Sequence, residues 1–93
     1  MSAPIVLALP SAVRPLCGGR AQLELVASDV QGLLAELARA WPAVHVRLCD
    51  ERGAPRPHIN VFVNDDHMRS RDGLATPLRA GDVVTILPAV SGG

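Results

Sequence analysis

Ser28-Asp29-Val30-Gln31-Gly32-Leu33-Leu34-Ala35-Glu36-Leu37-Ala38-Arg39-Ala40-Trp41-Pro42 is the stretch that decides the fold. Val30, Leu33, Leu34, Leu37 and Trp41 recur at three- and four-residue spacing, so they share one face of a helix. Gln31, Glu36 and Arg39 fall on the wet side. Ser28 followed three residues later by Gln31 has capping-box spacing, in which a hydroxyl and a carboxamide reciprocally satisfy amides of the first turn. Pro42 ends the element, because proline disfavours the helical conformation of the residue before it. One amphipathic helix with a single apolar face needs a sheet to bury it against.

The flanks supply that sheet. Upstream, residues 5–9 form a continuous apolar run suited to a buried strand. Residues 10–20, with two prolines and Gly18-Gly19, read as a loose hairpin loop. Residues 21–26 alternate, Leu23 and Leu25 against Gln22 and Glu24, as a half-buried strand antiparallel to the first does. Downstream, residues 43–58 read as a connector held to the core by Val44, Val46 and Leu48. Residues 59–63 form the third strand, with Ile59, Val61 and Val63 facing the helix. Asn64-Asp65-Asp66 turns the chain, and a short strand covers residues 67–69. Residues 73–79 are irregular, with one 3-10 turn near 74–76. Gly81-Asp82 turns into the last strand, residues 83–87. The order predicts a two-layer α+β domain over residues 1–87, one helix packed on one face of a mixed sheet, followed by a tail over 88–93.

Composition removes several classes of function. A chain of 93 residues has room for one core, and its 48% apolar content is enough to build it. Nine arginines balance nine acidic residues and there is no lysine. Zero net charge argues against nucleic-acid binding by counterion release, and two aromatics, Trp41 and Phe62, make no base-stacking platform. Without lysine there is no Schiff base and no P-loop cation. Cys17 and Cys49 form no CxxC, and His45, His58 and His67 form no HxxxH, so no metal site is expected. Asp65-Asp66 reads as turn chemistry. His45 and Cys49 lack an orienting third group, and Gly18-Gly19 lacks a phosphate-loop context. No cation precedes Arg14, so no signal-peptide n-region is present, and the run at 5–9 falls far short of the ~20 residues that span a bilayer. These features predict a cytoplasmic protein with reduced thiols and no membrane partner.

Two features point outward instead. Strand alternation leaves Phe62, between Asn60 and Asn64, on the face away from the helix, and with it Val83, Thr85 and Leu87 of the last strand. These residues predict an apolar docking patch beside the tail, with Arg79 and Arg14 as rim contacts. The tail itself is Pro88-Ala89-Val90-Ser91-Gly92-Gly93. Six extended residues reach ~20 Å, and glycines without side chains can thread a narrow cleft.

The segment Thr76-Pro77-Leu78-Arg79-Ala80-Gly81-Asp82-Val83-Val84, followed by Leu87-Pro88-Ala89-Val90-Ser91-Gly92-Gly93, resembles the "L-x-x-G-D-x-V … P-x-V-x-G-G" ending of the ThiS/MoaD-type sulfur carriers. Arg14-Pro15-x-x-Gly18-Gly19 and Asn60-Val61-Phe62-Val63-Asn64-Asp65 are similar to the subgroup that serves cysteine biosynthesis, the CysO-type carriers. The resemblance covers essentially the whole chain. It implies a ubiquitin-like β-grasp fold, with a four- to five-stranded mixed sheet, one helix on one face and a flexible C-terminal tail. It also implies a function as protein co-substrate, not catalyst. An ATP-dependent, ubiquitin-activating-like enzyme adenylates the Gly93 carboxylate, sulfur replaces AMP, and the Gly93 thiocarboxylate donates sulfur to a biosynthetic enzyme. The products open to the fold include cysteine, thiamin, molybdopterin and secondary metabolites. No cofactor is expected on this chain, since ATP belongs to the activating partner. A sulfurtransferase and a zinc-dependent JAMM-type protease are further implied partners, and the free carrier is expected to be monomeric. The alternatives are a ubiquitin-like modifier joined through Gly93 to target lysines, and a non-covalent β-grasp binding module.

Overall fold

Successive side chains of a strand point to opposite faces, so strands that alternate apolar and polar residues bury one face only. The computed structural model describes residues 2–89. Its strands are β1 (Ala3–Ala8), β2 (Gln22–Ala27), β3 (Ile59–Val63), β4 (Asp66–His67) and β5 (Val83–Pro88), in one sheet of order β2-β1-β5-β3-β4. β1 pairs antiparallel with β2 and parallel with β5, while β3 pairs antiparallel with both β5 and β4. The sheet is thus mixed, and β5 is its central strand. Ile5, Leu7, Leu23, Leu25, Val61, Val63, Val84 and Ile86 are all buried on the face that meets the helices.

Helix α1 (Val30–Ala40) buries Val30, Leu33, Leu34 and Leu37, as the spacing predicts. Its cap differs from the expected one. Asp29, not Ser28, is the N-cap: its backbone is extended and its Oδ1 accepts the Gly32 amide at 2.7 Å. Ser28 lies one residue before the cap, and its backbone carbonyl accepts the Leu78 amide at 2.9 Å. The Val30 amide in turn donates to the Thr76 carbonyl at 3.1 Å. The start of α1 is therefore stitched to the segment that leads into β5.

A second helix, α2 (Pro42–Leu48), replaces the front of the expected connector and corrects the one-helix reading. Pro42 does end α1, but it also opens α2 from the first-turn position, where its missing N–H costs nothing. Val44 and Leu48, one turn apart, are buried, whereas Val46 is 58% exposed. The expected loop over 10–20 contains a 3-10 helix (Ser11–Cys17) that buries Val13 and Cys17, closed by Gly18 at φ 69°. The short fourth strand lies at Asp66–His67 rather than 67–69, because Met68 is drawn into a 3-10 turn (Met68–Ser70) and buried. The expected 3-10 turn in the irregular segment lies at Gly73–Ala75. No helix among the described residues is long and apolar enough to cross a membrane.

Candidate functional site

The face of the sheet opposite the helices is built by the register. One row of paired residues crosses all five strands: Gln22, Ala8, Thr85, Phe62 and His67. Val83 lies opposite Val6 on β1, and Leu87 lies opposite Asn60 on β3. Val6, Ala8, Val83, Thr85 and Phe62 are half-buried, while Leu87 is 46% exposed. Phe62, Thr85, Val83 and Leu87 thus share one face, as the alternation predicts. The Phe62 ring is not freely exposed, however. The His67 imidazole meets it in an edge contact, with centroids 5.2 Å apart and planes at 75°.

The root of the tail adjoins this face. β5 runs one residue past its expected end, through Pro88, which lies opposite Ile59, and the Ala89 amide donates to the His58 carbonyl at 2.6 Å. Pro88 therefore belongs to the sheet rather than to a free tail. Val90, Ser91, Gly92 and Gly93, including the expected reactive carboxylate, lie outside the described residues.

The two arginines expected at the rim are placed differently. The Arg14 guanidinium donates twice to the Leu9 carbonyl, at 3.2 and 3.1 Å, pinning the 3-10 helix to the end of β1. Arg79 is exposed, but it precedes β5 and so lies at the end of the strand remote from Pro88. The resemblance motifs around both residues have visible structural work. Gly18 and Gly19 take positive φ after the 3-10 helix, and the Gly19 amide reaches the Arg14 carbonyl at 2.8 Å. Gly81 turns the chain at φ 88°. Asp82 then accepts the Arg79 amide through Oδ2 at 2.8 Å and the Asn64 Nδ2 through Oδ1 at 3.2 Å.

Cys49 is buried, and burial foremost, with the Asp50 charge second, pushes its thiol up to about 11. A thiol held in its protonated form is a poor nucleophile. Cys17 is buried against the Val13, Arg14 and Arg20 carbonyls. Asp65 and Asp66 are exposed where β3 turns into β4. Among the described residues, no group of three or more His, Cys, Asp or Glu side chains converges as a metal site would require.

Sequence reasoning missed Val6, Ala8 and His67 as members of the outward face. Val6 and Ala8 reach it through the parallel pairing of β1 with β5, and His67 through a strand only two residues long. The alternation of β1, with Ile5 and Leu7 inward, was the signal for the first two.

Comparison with known proteins places this geometry. The sulfur carrier protein CysO of Mycobacterium tuberculosis is 33% identical over 91 residues, covering 96% of this chain and 98% of that protein. Its crystal structure superposes with a TM-score of 0.83 at 32% identity, over 92% of this chain and 99% of that one. CysO in the crystal structure of the Amycolatopsis orientalis BexX/CysO complex is similar over 96% of this chain and 99% of its own, with TM-score 0.84 and 31% identity. The small archaeal modifier protein 1 of Methanosarcina acetivorans shares the fold with TM-score 0.82 and 29% identity, over 100% of this chain and 99% of its own. The architecture is thus the ubiquitin-like β-grasp, with α2 added to the single helix expected. The match to the ThiS family runs over residues 9–93, from the end of β1 to Gly-Gly, and on that extent the chain belongs to the ThiS family.

Proposed function

We propose that this protein is a sulfur carrier whose Gly93 carboxylate is the group that reacts. The observation that carries the reading is the family match reaching Gly92-Gly93, together with near-full-length similarity to a sulfur carrier. A carboxylate is a poor electrophile. An ATP-dependent activating enzyme transfers AMP to the Gly93 carboxylate and releases pyrophosphate. Sulfide then displaces AMP, forming the C–S bond of a thiocarboxylate. A sulfurtransferase persulfide serves equally if a thiol reductant cleaves the S–S bond. The thiocarboxylate is a soft anionic nucleophile that attacks an electrophile held by a biosynthetic enzyme. Hydrolysis of the acyl bond, with water supplying the oxygen to Gly93 and a proton to the departing product, returns the carboxylate, and a JAMM-type zinc protease fits that step where the product stays joined to Gly93.

On this reading the chain is a substrate of its partners, in the cytoplasm, and binds no cofactor itself. Phe62, Leu87, Thr85 and Val83 form the docking face, with Arg79 at its far rim, while Pro88, Ala89, Val90, Ser91 and Gly92 lead toward the partner's active site. The similarity to CysO favours cysteine as the product, and the BexX/CysO complex supports a docking partner, since there a CysO is bound to BexX.

Intact mass after incubation with the activating enzyme, ATP and sulfide tests the reading. Sulfur in place of oxygen adds about 16 Da, and alkylation of the new group distinguishes it from oxidation. The modifier alternative is favoured by the likeness to the archaeal modifier. Lysine-linked conjugates on other proteins, with no thiocarboxylate formed, would select it.

A further inference from the structure

His67 occupies a two-residue strand, yet its ring is held at three points. The Arg69 amide donates to Nδ1 at 3.0 Å. An N–H can only be received by an unprotonated nitrogen, so Nδ1 is bare and the neutral ring carries its proton on Nε2. Nε2 lies 3.1 Å from Asn60 Oδ1 and donates to it. The third point is the edge contact with Phe62. Asn60 stands opposite Leu87, and Phe62 opposite Thr85. The imidazole therefore touches Phe62, the residue that β3 contributes to the proposed docking face, and Asn60, which shares that face of the strand.

We propose that His67 is a positioning residue for partner docking: its neutral imidazole holds Phe62 and Asn60 in the arrangement that the activating enzyme reads. The inference rests on the docking reading above. The neighbours are otherwise quiet. β3 presents the uncharged Asn60 and Phe62, and β5 presents Thr85 across from Phe62. The charged groups are Asp65 in the turn, Asp66 on β4 and Arg69 in the following 3-10 turn, all exposed. His45 lies on α2, and the His58 carbonyl accepts the Ala89 amide at the root of the tail.

His67→Asn separates positioning from folding, because asparagine still offers an oxygen to the Arg69 amide but has no ring to brace Phe62. The assay is ATP–pyrophosphate exchange by the activating enzyme of the same organism, with this chain as the varied substrate. His67→Asn should raise the KM for the carrier about three- to tenfold near pH 8, the scale of an aromatic edge contact, with the loss in KM rather than kcat. Long-range nitrogen–proton spectra of the free carrier should show His67 with its proton on Nε2. A proton on Nδ1, or a variant KM equal to that of the wild type while Phe62→Ala still raises KM, overturns the positioning role and leaves the docking face standing. If Phe62→Ala also leaves KM unchanged, the docking face itself fails and the inference falls with it.

Discussion

Asp82 and Asn64 join the turn that enters β5 to the turn that leaves β3. Asn64 Nδ2 donates to Asp82 Oδ1 at 3.2 Å, and Asn64 Oδ1 accepts the Val83 amide at 3.0 Å. Asn64 holds φ at 54°, a left-handed conformation that asparagine tolerates better than most residues. The Gly-Asp of the family ending is therefore a fold clip. Asp82→Ala should lower stability by about 1–2 kcal/mol, from loss of the acceptor for Asn64 and for the Arg79 amide. Urea denaturation checks it, and a double-mutant cycle with Asn64→Ala should show non-additivity.

The cap of α1 gives a second contrast. Asp29→Ala should cost about 1 kcal/mol, the ordinary worth of an N-cap side chain. Ser28→Ala should stay within about 0.5 kcal/mol, since the residue is used through its carbonyl. Equal losses at the two positions would restore the capping box read from the sequence.

Phe62 is half-buried rather than exposed, so its truncation should fall between the surface and core cases. Phe62→Ala is expected to cost about 1–2 kcal/mol in stability, below the ~3–5 kcal/mol of a core ring. Affinity for the activating enzyme should drop by about 1–2 kcal/mol. Denaturation and a binding titration on the same variant measure both, and a core-sized stability loss with unchanged affinity would assign the ring to packing alone.

One alanine appended after Gly93 should abolish adenylation, because the group activated must be a terminal carboxylate. Thermal stability should be unchanged, since the buried residues of the sheet end at Ile86. Adenylate formed on the extended chain without proteolysis would contradict the mechanism.

Cys49 predicts a pH dependence. Its thiol titrates near 9.0 when unburied and near about 11 in the fold. The folded state thus keeps a proton that the unfolded chain gives up above pH 9.0. The contribution to stability is complete below that value and is lost as pH rises toward about 11. Cys49→Ala should flatten this part of the stability profile, and iodoacetamide at neutral pH should leave native Cys49 unmodified.

Most of the sheet was legible because alternation is a local signal: Ile59, Val61 and Val63 face inward, and so do Val84 and Ile86. That same parity found Phe62 and Leu87. The second helix was hidden by Pro42, whose rigid ring serves equally as the end of one helix and the start of the next. The cap slipped by one residue because Ser28 and Asp29 are both capping types, and the bond from the Gly32 amide to Asp29 Oδ1 decides between them. Val6 was legible in the alternation of β1, but its place beside Val83 depends on a pairing between distant segments, and His67 sits on a strand of two residues, too short to show an alternation. Arg14 looked available because a sequence does not show that its guanidinium has the Leu9 carbonyl to bind.

β5 carries the tail from the middle of the sheet, with β1 on one flank and β3 on the other. On the proposed mechanism, a partner that draws Gly93 into its active site would load this strand through Pro88 and Ala89. The load meets two ladders of hydrogen bonds in shear, where many bonds must yield together, rather than one edge that can be peeled a bond at a time. The domain is a handle fastened at its centre, so tension on the terminus is borne by the whole sheet.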